Sequence, residues 1–123
     1  MHRQLSADER AVIEALILRA PVMADVPTSQ REQWAATLDD LSVCGECGCG
    51  TCPSVELAYR GKPVTLAQSE EPEDRVILDA YTKDAVVMLF VDGGIPSYLE
   101  VAPYQDPDTR LPIPRVADLD LPR

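Results

Sequence analysis

Histidine is nearly missing from this sequence, with His2 the only one, and aromatic residues are few beyond Trp34, Phe90 and four tyrosines. A lone histidine at the terminus excludes triad and histidine-based general-base chemistry. The shortage of aromatics means that any core must be mainly aliphatic. Basic residues are also scarce: eleven lysines and arginines face twenty-one acidic residues, a net charge of −10, and no basic run occurs. Nucleic-acid affinity comes largely from cations neutralising phosphates, so neither nucleic acid nor an anionic membrane surface is expected as a partner. A basic protein partner is compatible with this charge. Long apolar runs are absent too. The longest, Ala15–Leu18 and Ala85–Val91, fall far short of a membrane span. The start of the chain is polar and acidic, unlike a signal peptide, which predicts a cytoplasmic protein with reduced thiols.

The 123 residues suit one domain, and a hydrophobic content of 46% is enough to bury a core without disulfide staples. Ser6-Ala7-Asp8-Glu9 is a capping box, and Val12, Ile13, Leu16, Ile17 and Ala20 follow at helical spacing until Pro21. This predicts a helix over about Ala7–Ala20, packed on a sheet. A second box, Ser29-Gln30-Arg31-Glu32, predicts another helix with a stripe of Trp34, Leu38 and Leu41, Trp34 serving as a core anchor.

Strand patterns come next. Val55, Leu57 and Tyr59 alternate with polar or small neighbours, Arg60-Gly61-Lys62-Pro63 reads as a turn, and Val64–Ala67 as a short edge strand. Gln68–Asp74 is an acidic loop without the ligand pattern of a calcium site. Arg75–Thr82 is a strand that turns at Lys83-Asp84. Ala85–Val91 suits a central strand buried on both faces, and Asp92-Gly93-Gly94 a hairpin turn into Ile95–Ala102. The expected core is Val12, Leu16, Leu38, Val55, Leu57, Leu78, Val87, Leu89, Leu99 and Val101. The expected fold is α+β, two N-terminal helices packed on an antiparallel meander of about four strands. Residues 1–102 form the domain and residues 103–123 a Pro-rich tail.

One segment carries chemistry. Cys44, Cys47, Cys49 and Cys52 fall within a single loop running from Cys44 to Pro53, as two C-x-x-C pairs separated by Gly48. Such pairs bring thiolates together at zinc–sulfur distances of about 2.3 Å, and four of them would close a structural zinc site. The pairs are tightly spaced, and no basic residue between Arg31 and Arg60 offsets the charge. The spacing matches neither common ferredoxin pattern. Neither pair opens a helix, the usual way to lower a redox thiol's pKa. Zinc ligation, thiol switching and inert thiols therefore stand as three open readings. No glycine-rich phosphate loop follows a strand, because Asp92-Gly93-Gly94 lacks a following helix. The pairs Glu70/Glu71 and Asp39/Asp40 read as solvated neighbours.

The capping-box helix, the Cys-Gly-Cys-Gly-x-Cys-Pro-Ser-Val-Glu-Leu stretch over Cys47–Leu57, and the hairpin from Asp92-Gly93-Gly94 to Leu99-Glu100-Val101 together resemble a family of small uncharacterised actinobacterial proteins. The resemblance implies no activity and no metal. The sequence thus predicts a non-enzymatic binding or accessory protein with zinc as its candidate cofactor. The alternative is a thiol redox or metal-handling protein using the same cysteines.

Overall fold

The computed structural model describes residues 3–21, 26–46, 52–64, 75–105 and 111–121. The predicted acidic loop at Gln68–Asp74 lies outside them, as do His2, Cys47 and Cys49. The first helix, α1 (Ala7–Arg19), begins as its capping box dictates: Ser6 Oγ accepts from the Glu9 amide, and Glu9 accepts from the Ser6 amide. The second box does not form. Helix α2 (Thr28–Ala35) starts one residue before Ser29, after Pro27 and without a side-chain cap. Proline already supplies the extended geometry an N-cap needs, so Ser29 lies inside the first turn. Arg31 instead turns back and donates to the carbonyls of Ile17 (3.1 Å) and Ala20 (2.8 Å), satisfying the C-terminus of α1.

Trp34, Leu38 and Leu41 are all buried, but only Trp34 lies on the helix. Leu38 sits in a 3-10 turn (Leu38–Asp40), and Leu41 opens a strand. That strand corrects the reading of a loop beginning at Cys44.

Among the described residues the sheet has seven strands instead of about four. They are β1 (Arg3–Gln4), β2 (Leu41–Glu46), β3 (Val55–Tyr59), β4 (Lys62–Pro63), β5 (Val76–Tyr81), β6 (Ala85–Asp92) and β7 (Ile95–Pro103). Their order is β1-β2-β3-β7-β6-β5, with β4 also paired to β3. All pairings are antiparallel, so α+β describes the chain. A simple meander describes only β5–β6–β7; β3 joins it through the last strand. A short strand falls at Lys62–Pro63, because Arg60 (φ 52°) and Gly61 (φ 81°) make a two-residue turn that pairs Lys62 with Tyr59; of the predicted edge strand Val64–Ala67, all but Val64 lies outside the described residues. Gly93 (φ 61°) and Gly94 (φ 81°) make the same kind of turn between β6 and β7.

The register sorts the side chains by face. Leu78, Leu89, Leu99 and Val55 line up across four strands, and each is 1% exposed or less. Helix α1 packs over β5 and β6 on this inner face. All ten expected core residues belong to the resulting cluster. The C-terminal segment adds to it: Leu119 is buried, and the Asp120 amide donates to the Tyr81 carbonyl at 2.9 Å.

Candidate functional site: the cysteine hairpin and the open face of the sheet

The connection between β2 and β3 carries the cysteine motif. Cys44 does not belong to that connection; it lies within β2, below the last ladder pair, Glu46 with Val55. Val43 pairs with Leu57 and Gly45 with Glu56, which leaves Cys44 as the extra residue of a β-bulge. At Gly45 a Cβ would come within 2.8 Å of Glu56 Oε2, so any larger residue there has to displace the end of that side chain. Cys44 is half-buried and carries a free thiol. Burial pushes that thiol's pKa up, and the Glu56 carboxylate pushes it further the same way. A protonated thiol is a poor nucleophile.

Half-buried Cys52 lies toward the far end of the connection. It is followed by Ser54, whose Oγ accepts from the Val101 amide at 2.9 Å and extends the attachment of β3 to β7. The structure therefore places Cys44 on the β2 arm and Cys52 in the connection, three residues before β3 begins. Cys47 and Cys49 lie outside the described residues. Among the described residues, no three histidine, cysteine or acidic side chains form a metal-binding group.

Beside this hairpin, Arg3 of β1 grips Glu9 of α1 in a two-pronged ion pair, with both contacts at 2.8 Å, and also reaches Glu46 at 3.0 Å. Burial alone would raise the Glu9 carboxyl, but the hydrogen bonds from Arg3 and Ser6 outweigh it and hold the pKa below its ordinary value. Arg3, Val43, Gly45 and Glu46 line a cavity of about 320 Å³ there. A second cavity, of about 370 Å³, lies between the β5–β6 turn and the C-terminal segment. Its lining mixes Asp8, Lys83, Asp84 and Arg115 with Leu111 and Ile113.

The largest unassigned feature is the outer face of the sheet. Strand alternation sends Ile77, Asp79 and Tyr81 outward from β5, Val86, Met88 and Phe90 from β6, and Tyr98, Glu100 and Ala102 from β7. Every one of these is apolar or aromatic except Asp79 and Glu100. Ile77 is 46% exposed and Tyr81 53%. Phe90 and Tyr98 stack with centroids 6.0 Å apart. The prediction that Ala85–Val91 is buried on both faces is corrected here. Ala85, Val87, Leu89 and Val91 are buried, whereas Val86, Met88 and Phe90 are only half-buried. Both helices contribute to the inner layer, and neither crosses to the other side.

Arg75 borders this face, its guanidinium 5.2 Å from the Phe90 ring centroid. It is tied to Asp92 by contacts of 2.7 and 3.1 Å, and Ser97 Oγ lies 2.7 Å from the same carboxylate. Burial would raise the Asp92 pKa, yet Arg75 and Ser97 outweigh it and keep it low.

No family model, curated protein or solved structure matches this chain. Among the described residues, no helix is long and apolar enough to cross a membrane. Sequence reasoning missed the outer face, although its signal is present in the second register of alternation, Ile77-Asp79-Tyr81 and Val86-Met88-Phe90.

Proposed function

We propose that this chain is a small acidic, non-enzymatic binding module whose working surface is the outer face of its sheet. The observation that carries this reading is the contrast in cover: helices bury the inner face, while Ile77 and Tyr81 remain about half exposed beside Met88, Phe90 and Tyr98. A contiguous apolar face bordered by charge is characteristic of interaction surfaces and is an aggregation liability without that use. At Cys44 itself, burial and the Glu56 carboxylate favour the protonated thiol, which makes that residue a poor nucleophile.

A neutral hydrophobic dye such as Nile red tests the reading. The parent protein should enhance its fluorescence. Ile77→Ser with Tyr81→Ser should reduce that enhancement at least three-fold while leaving the melting temperature within about 3 °C. No enhancement in the parent would sink the proposal.

The hairpin supports a second element of function. Cys44 lies in β2 and Cys52 in the connection that leads to β3, so a zinc ion held by Cys44, Cys47, Cys49 and Cys52 would order that connection. On this reading, protein purified under reducing conditions without chelator carries one zinc per chain by elemental analysis. Zinc-free protein with native stability rejects it.

A further inference from the structure

We propose that the outer face receives a cationic amphipathic segment of a partner protein. This rests on the reading of that face as a binding surface and adds the chemistry of its occupant.

The cross-strand register orders the face into three rows. Ile77, Phe90 and Tyr98 form one apolar row, and Tyr81, Val86 and Ala102 form another. Between them run Asp79, Met88 and Glu100, a carboxylate on each side of a methionine. Strand spacing places those two carboxylates about 10 Å apart, with each apolar row about 7 Å away along the strands. Glu56 continues the first row beyond Tyr98 and is exposed. No lysine or arginine stands at an outward position of β5, β6 or β7, and Arg75 at the border is already engaged by Asp92. Among the described residues, neither Asp79 nor Glu100 has a salt bridge to a basic residue, in a chain whose net charge is −10.

An occupant that fills the apolar rows must therefore bring positive charge to the middle one. Desolvated carboxylates without a counter-charge would offset the gain from apolar burial. A second copy of this chain would set its own Asp79 and Glu100 against the same pair, and an anionic lipid surface would meet like charge. A segment with leucine-like side chains flanked by lysine or arginine complements every row.

The test uses two fluorescein-labelled amphipathic peptides with one leucine pattern, carrying lysine or glutamate at the polar positions. Fluorescence anisotropy at physiological salt reads binding to the full chain. The lysine peptide should bind at least ten-fold more tightly than the glutamate peptide. Asp79→Asn with Glu100→Gln should weaken it about five-fold, in a salt-dependent way. Glu14→Gln with Asp118→Asn, an equal charge change elsewhere, should leave it within about two-fold.

Equal weakening by both double variants would show bulk attraction only and overturn the proposal. So would binding to anionic vesicles, or a concentration-dependent dimer abolished by Ile77→Ser. If both peptides bind equally and both are lost with Ile77→Ser and Tyr81→Ser, the face is a binding surface but the cationic partner is wrong. If binding ignores Ile77 and Tyr81 altogether, the reading of the face fails as well.

Discussion

Leu78 and Ile77 are neighbours on one strand, and the sheet treats them oppositely. Leu78 joins Leu89, Leu99 and Val55 in a sealed row under α1, whereas Ile77 joins Phe90 and Tyr98 in a row that no helix among the described residues covers. Both rows use the same backbone ladder, so the difference lies only in what packs above them. Burial on one face supplies folding energy, and apolar side chains on the other face add little to it. A residue type that stabilises on the inside has to be explained by something else on the outside.

Substitutions on adjacent positions sharpen that contrast. Leu78→Ala should destabilise by about 2–5 kcal/mol in chemical denaturation, through lost transfer energy and a residual cavity. Ile77→Ala should cost less than about 1 kcal/mol. Equal losses at the two positions would break the comparison, because they would mean that the outer face is sealed as well.

An intermediate effect belongs to the joint between layers. Glu9 is 4% exposed and serves both the capping box and the Arg3 fork. Glu9→Gln should lower stability by about 1–3 kcal/mol, since it removes a charged acceptor from two partners. Asp92→Asn, at the border of the outer face, loosens Arg75 over Phe90 and should cost less.

These two carboxylates also set the acid response. Each has a pKa lower in the folded state than its ordinary value. Their contribution is therefore complete above the unfolded pKa of about 4 and is lost as pH falls through the folded values. Denaturation midpoints should be flat near neutrality and decline below about pH 4. Glu9→Gln and Asp92→Asn should each flatten part of that decline, and an unchanged acid slope in both variants would contradict the assignment.

The smallest effect is expected beside the cysteines. Gly45→Ala brings a Cβ against the far end of the flexible Glu56 side chain, which can swing aside. A loss of about 1 kcal/mol or less is expected, and it should shrink when Glu56→Ala removes the obstacle.

Much of the inner face was legible in the sequence, because each element there announces itself locally. Ser6 and Glu9 cap α1 as predicted, and Gly93-Gly94 form the turn expected of Asp92-Gly93-Gly94. The core residues follow from period alone. Strand β2 was not legible, since Leu41 continues the spacing of Trp34 and Leu38 and reads as the end of a helix. The chain in fact leaves α2 at Ala35, takes one 3-10 turn, and alternates Leu41, Ser42 and Val43 as a strand. The pairing of β3 with β7 is non-local, and nothing in either segment specifies it. The outer face was hidden by its own composition: Ala85–Val91 is apolar throughout, and an apolar run does not say which of its two faces will be covered. The cysteine motif was plain as a pattern, but the position of Cys44 at a bulge inside the ladder depends on the register with β3.

Hydroxyl-radical footprinting with mass spectrometry measures the two faces of the sheet directly and in one experiment. Ile77, Tyr81, Met88 and Phe90 should be readily modified, with Leu78, Leu89 and Leu99 protected. Protection of Tyr81 and Phe90 to the level of Leu89 in the isolated protein would show the outer face to be covered, and the open surface on which the proposed function rests would not exist.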